Sequence, residues 1–171
     1  MILTAIDPGT TQSAWVTLDD QFKLLDFGKD DNDTLLQVVA NAGREHDSRI
    51  ACEMIASYGM PVGREVFETC VWIGRFKQIA SDLGVPFQYV YRKDEKLEIC
   101  GNPRAKDANI RRGLDANIRR GLIERFARFD FQNGRGTEAK PDYFYGFKAD
   151  MWAAMAVAVT WMHKHGIYER W

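Results

Sequence analysis

A chain of 171 residues, 46% apolar and carrying five Trp and ten Phe, is one domain's worth of sequence, long enough to bury roughly two-thirds of its unfolded surface. No run nears the roughly 18 uninterrupted apolar residues of a membrane span, and no basic stretch followed by an apolar one opens the chain. The net charge of −1 gives no bulk attraction for nucleic acid, yet eleven Lys and Arg between Arg92 and Arg128 against six Asp and Glu set a basic segment on a body of net −6. The three cysteines, Cys52, Cys70 and Cys100, are odd in number and too dispersed for a metal knuckle. The expectation is a single domain, 1–171, with free thiols in a reducing cytoplasm.

The opening MILTAID is an apolar run that ends in an acid; the turn signal PGT follows, then a second apolar stretch, SAWVTL. These predict two strands with a tight connection. A third strand over about 22–28 follows Asp19-Asp20 and completes an antiparallel meander. Residues 32–45 predict a helix, with Asn32 or Asp33 as cap and Leu35, Leu36, Val39 and Ala42 at helical spacing. RIACE is a short strand, again closed by an acid.

Residues 62–82 carry Val62, Val66, Cys70, Ile73 and Ile79 at roughly helical spacing, with Phe67 and Phe76 widening the stripe. They predict a long amphipathic helix closed by Gly84, and VPFQYVY predicts the fifth strand. The basic segment reads as helix broken at Gly101-Asn102-Pro103, and residues 130–146 read as a loop. KADMWAAMAVAVTWMHKH predicts a last helix whose small residues let it lie close against a sheet. This order is that of an α/β fold with a mixed sheet. No G-x-G-x-x-G follows the first strand, which removes the dinucleotide-binding class.

Asp7 ends the first strand, Glu53 the fourth, and Asp150 lies in the first turn of the last helix. All three are places from which a side chain can project into one cleft. Each has an ordinary reading alone: Asp before Pro-Gly is a common turn residue, and an acid suits a helix N-terminus. Glu53 has less of one, because an acid directly after Ile50-Ala51-Cys52 needs a partner or a metal. Three converging acids repel one another unless a cation holds them. Carboxylates holding two divalent ions roughly 3.5–4 Å apart are the arrangement that hydrolyses phosphodiesters. His163 and His165 face different ways on a helix and His46 stands alone, so no zinc site is expected.

With these residues in view, the chain resembles the RuvC-type Holliday junction resolvases of the ribonuclease H-like superfamily, phage-encoded members in particular. The likeness runs over most of the chain, through AIDPGTTQSAWV, ACEMIASYGMPVGREVFETCVWIGRF, ICGNPRAKDANI and KADMWAAMAVAVT. It implies a ribonuclease H-like α/β fold with a five-stranded mixed sheet flanked by helices. It implies a crossover junction endodeoxyribonuclease, which resolves four-way or other branched DNA by paired nicks that leave 5′-phosphates. It also implies metal ligation by Asp7, Glu53 and Asp150, with Mg²⁺, for which Mn²⁺ substitutes, at two ions per site. Lys96, in EKLEICG, and Lys106, in RAKDANI, match basic residues near the scissile phosphate; a solvated helix face is the alternative for both.

The resemblance further makes Arg92, Lys93, Arg104, Arg111 and Arg112 candidates for DNA contact, and Tyr58 and Met60, in the loop after Glu53, candidates for wedging between bases. The two-fold symmetry of a four-way junction implies a homodimer. Helix 62–82, with exposed-looking Trp72 and Phe76, is either its interface or ordinary packing on the sheet. No membrane partner is implied, and the compartment would be the cytoplasm of a bacterium or of a phage-infected host. One position departs from the pattern. Many relatives carry Asp or His three residues before the last aspartate, where this chain has Phe147. Either three carboxylates suffice, or Asp142, Glu65 or Lys148 enters the site.

Two other readings stand beside this one. DPGTT also resembles the first phosphate loop of sugar-kinase and actin-like ATPases, although those need a second such domain and a second phosphate loop. A junction-binding protein whose catalysis is impaired by Phe147 or by a duplication is the other. The duplication is plain: residues 107–122 read DANIRRGLDANIRRGL, eight residues written twice. Eight residues advance a helix by about 800°, some 80° beyond two turns, so simple lengthening rotates one side of the insertion off its packing face. Either the second copy takes the helical position before LIERF and Lys106 is displaced, or the first copy keeps Lys106 in place and the duplicate bulges out. The second is the expectation, with Gly113 and Asp115 as stop and restart. The duplicate also adds Arg119 and Arg120 to the basic face.

Overall fold

The computed structural model describes residues 1–57, 59, 61–114, 116 and 136–167. The wedge candidates Tyr58 and Met60, and all of the second repeat copy except Ala116, lie outside the described residues. Strands β1 (Ile2–Asp7), β2 (Gln12–Asp19) and β3 (Leu24–Asp31) form the expected antiparallel meander. Strand β4 (Ser48–Met54) then pairs in parallel with β1, and β5 (Phe87–Tyr91) in parallel with β4, giving a mixed sheet of order β3-β2-β1-β4-β5.

Period-two alternation splits the core between the two sheet faces. Ile6, Trp15, Ile50 and Cys52 pack beneath α1 (Asn32–Ala42) and α2 (Arg64–Asp82), against Leu35, Val39, Ile73 and Phe76. Leu3, Ala5, Val16 and Ala51 face the other way, onto α3 (Arg92–Cys100), a helix α4 over residues 107–114, and α5 (Ala149–Lys164). Ala154, Ala156 and Ala158 are fully buried in α5, so its backbone lies close to the sheet, as its small residues predict. The segment read as a loop also carries a short hairpin, β6 (Gly136–Thr137) with β7 (Lys140–Pro141).

Two expectations are corrected. Phe76, taken as exposed, is fully buried beneath the sheet, and Trp72 is half-buried against the same cluster. The face of α2 left to solvent carries Phe67 and Val71, each 64% exposed. The apolar stripe on α2 is wide enough to be drawn in two ways, and the sheet selects the Thr69, Ile73, Phe76, Ala80 line. Gly113 is not a stop. It lies inside α4, outside the left-handed region that Gly101 takes at the end of α3. A Cβ on Gly113 would sit 3.1 Å from the Ile99 carbonyl oxygen and side chain, so the glycine lets α4 cross α3 closely. Ile110 and Leu114 of the first copy are buried in the core, and Lys106 stands at the start of α4.

Candidate active site

The alternation that buries Leu3 and Ala5 under α5 carries Asp7 to the same face, and the step that buries Ala51 carries Glu53 there too. Because Ile6 pairs with Cys52 in the parallel ladder, the two acids follow at the carboxyl ends of adjacent strands. The turn after Asp7 is firmly held. Asn32 Nδ2 donates to the Gly9 carbonyl at 2.9 Å, Ser13 Oγ donates to Asn32 Oδ1 at 2.6 Å, and the Gly9 amide donates to Ser13 Oγ at 3.1 Å. A Cβ on Gly9 would lie 2.2 Å from the Gln12 carbonyl oxygen, which makes the Pro-Gly turn obligatory.

Asp7 and Glu53 share a hydrogen bond, and burial followed by the Glu53 charge pushes the Asp7 carboxyl well above the ordinary range. A proton, a guanidinium or a metal ion is what such a pair requires. Arg92, the first residue of α3, supplies the guanidinium: Nη1 lies 3.0 Å from Glu95 Oε2 and 3.5 Å from Glu53 Oε2, and Nη2 lies 2.9 Å from Asp107 Oδ1. Burial works against the Arg92 charge, but the Glu53, Glu95 and Asp107 carboxylates outweigh it. Glu95 is completely buried, and its Oε1 has no hydrogen-bond partner among the described residues. Burial, then Glu53, holds its carboxyl well above the ordinary range despite Arg92.

Across a cavity of about 430 Å³ lies Asp150, whose Oδ2 accepts a 2.5 Å bond from Lys29 Nζ of β3. Asp7, Arg92, Asp107, Arg111, Asp150 and Trp152 are among the cavity's lining residues. Of the residues expected to act on DNA, Arg92 and Arg111 therefore reach the cavity. Lys93, Arg104, Lys106 and Arg112 are exposed outside the lining, and Lys96 is half-buried on α3. Phe147 is fully buried against Phe27, Phe144 and Trp152, an aromatic support beneath α5. The three suggested substitutes for a fourth ligand stay out of the lining. Glu65 is exposed on α2, Lys148 precedes α5, and the buried Asp142 accepts from the Tyr143 amide.

The donors suit a hard divalent cation: all are carboxylates, two share a hydrogen bond, and a third buried carboxylate has an unpartnered oxygen. Among the described residues, however, no three Asp, Glu, His or Cys side chains converge as a ready cage. Arg92 and Lys29 hold the charges that an ion would take. Sequence reasoning passed over Glu95, Lys29 and Asp107 as site residues. Arg92 and Glu95 are three apart on one helix face, a spacing that could have paired them. Lys29 and Asp150 are separated by 121 residues, and nothing local links them.

No family profile matches the chain, and no curated relative does so significantly. Among solved structures it is similar to Thermus thermophilus RuvC, with a TM-score of 0.67 and 16% identity over 98% of each chain. It is similar also to T. thermophilus RuvC in complex with Holliday junction substrate, with a TM-score of 0.65 and 16% identity over 94% of this chain and 92% of that one. The parallel β1–β4 seam, the flanking helices and this end-to-end likeness make the fold of the chain the ribonuclease H-like fold of RuvC.

Proposed function

We propose that the chain is a divalent-cation-dependent endonuclease acting on branched DNA, four-way junctions above all, by paired nicks that leave 5′-phosphates. One observation carries the reading. Asp7 and Glu53 stand side by side at the ends of two parallel strands, and Asp7 shares the lining of one cavity with Asp150. The likeness to a RuvC structure holding a Holliday junction supports branched DNA as the partner.

Asp7, Glu53 and Asp150 are the residues that would hold Mg²⁺ or Mn²⁺, two ions to a site. Ions held there would supply a lowered pKa for attacking water and charge neutralisation at the leaving oxygen. The chain's own groups do the rest. The clamped turn at Gly9 and the β1–β4 ladder fix the Asp7 and Glu53 carboxylates at one spot, and Lys29 steadies Asp150. Arg92 and Arg111 draw the phosphate backbone into the cavity, while Lys93, Lys96, Arg104, Lys106 and Arg112 extend the basic track beyond it. A second copy placed two-fold through the exposed Phe67 and Val71 face of α2 would present two sites to the opposed strands.

The test is cleavage of a labelled four-way junction beside a linear duplex of the same sequence, with Mg²⁺ or Mn²⁺, by the native chain and by Asp7→Asn. Paired symmetric nicks in the junction alone are expected, reduced in the variant by at least about a hundredfold, a loss that even outer partners of metal ligands can produce. Cleavage of both substrates equally, or an undiminished variant, refutes the reading. A second reading, a junction binder with impaired catalysis, is favoured by the hold of Arg92 and Lys29 on the acids. Tight junction binding without nicks in either metal would establish it.

A further inference from the structure

The nuclease reading leaves one side chain in the wrong place. Asp107 lines the same cavity as Asp7 and Asp150, and it presents its Oδ1 to Arg92 Nη2 at 2.9 Å. A phosphodiester that is to meet Asp7 and Asp150 has to enter that cavity, and an acid there repels it. Arg92 itself is anchored from behind. Its Nη1 lies 3.0 Å from Glu95, a carboxylate with no exposure to solvent, three residues on along the same helix. Only the Nη2 edge, toward Asp107, faces a partner that can leave, for the Asp107 side chain is 74% exposed and sits at the first turn of α4.

The geometry points to Arg92 as a phosphate-binding residue of the cavity and to Asp107 as its placeholder, a carboxylate that occupies the phosphate subsite until DNA displaces it. This rests on the nuclease reading and deepens it. Guanidinium binds carboxylate and phosphate through the same planar fork, so the exchange is one anion for another. Glu95 then acts as a positioning residue, holding the fork in place during the exchange. The opposed cost keeps weakly held anions out, and a rotation of one exposed side chain is motion enough to open the subsite.

The experiment is binding of a labelled four-way junction in EDTA at low salt by the native chain, Asp107→Asn, Asp107→Glu and Glu45→Gln. Glu45 is an exposed acid after α1, near the amino ends of β1 and β4 and so at the other end of the sheet, and it controls for the general gain from removing one negative charge. Asp107→Asn is expected to bind about fivefold more tightly, the order of one exposed charge pair. Asp107→Glu, which keeps the acid, should stay near the native value, and Glu45→Gln should move less than twofold. Equal affinity for Asp107→Asn and the native chain overturns the placeholder, as does a gain matched by Glu45→Gln. Junction binding by none of the four proteins overturns the nuclease reading itself, and the placeholder with it.

Discussion

Asp7 carries a charge that the folded state disfavours, because burial and Glu53 raise its pKa above that of the unfolded chain. The native state therefore keeps a proton where the unfolded chain has already released it. That contribution to stability is complete below the ordinary carboxylate pKa and declines as pH rises from there through the raised value. In EDTA, thermal denaturation from pH 4 to pH 7 should show this decline in the native chain and much less of it in Asp7→Asn. At pH 7 the variant should melt about 2–4 °C higher, the response of a chain of this size to 1 kcal/mol. An Asp7→Asn melting point below the native one at pH 7 would contradict the repulsion. Arg92 bears the opposite sign. Arg92→Met leaves Glu95 buried with no counter-charge, which should destabilise by about 3 kcal/mol at pH 7, as broken buried pairs do, and by less at pH 4, where Glu95 is readily neutral. Urea titration at the two pH values reads both. The placement of Asp7, Glu53 and Asp150 at the ends of regular elements was legible in the sequence, because the apolar runs beside them are plain. Glu95 and Asp107 were not, because within a run of mixed charge nothing in the pattern says which acid turns inward.

Among the elements, α4 gives the clearest partial answer to the duplication. The first copy fills the packed position: Leu114 is fully buried, Ile110 nearly so, and Asp107 and Arg111 line the cavity. Deleting either copy yields the same amino-acid sequence, so deletion cannot separate them, whereas point substitution can. Leu114→Ala should cost about 3 kcal/mol, as large-to-small changes at buried sites do. A cost under about 1 kcal/mol would mean that the identical leucine eight residues later had taken its place. Gly113→Ala should lower the melting temperature even though alanine is the better helix former by about 1 kcal/mol, because the added methyl meets the Ile99 carbonyl oxygen at 3.1 Å. The sequence misled here for a physical reason. Glycine near a helix end and glycine at a close helix crossing look alike in one dimension, and only the position of Ile99 decides between them. The stripe on α2 misled similarly, since Phe67 and Phe76 are both apolar and one sheet face can cover only one of them.

For the molecule as a whole, the order of elements was legible because periods of 2 and 3.6 residues alternate cleanly along the chain. The ladder register was not, since it depends on contacts among distant strands. That register sets the distance between the acids. The same whole-molecule view leaves α2 with two large exposed apolar residues on one face. If they join two copies, sedimentation at micromolar concentration should give a dimer for the native chain and a monomer for a Phe67→Glu, Val71→Glu variant with an unchanged circular dichroism spectrum. A native monomer at that concentration would remove this face as the interface. One feature of the sheet bears on how such a molecule can work at all. Strand β5 ends at Tyr91, paired with Met54, and α3 begins at Arg92 with no intervening residue. In mechanical terms this joint has no slack: the guanidinium is bolted to the same frame as Glu53, and an insertion of one residue there would turn α3 by about 100° and swing Arg92 and Glu95 away together. Between α3 and α4 the chain runs through residues 101–106 before the next helix begins. The frame is thus the fixed jaw of a vice; α4 is packed against the core through Ile110 and Leu114, and the part with room to turn is the exposed Asp107 side chain at its first turn.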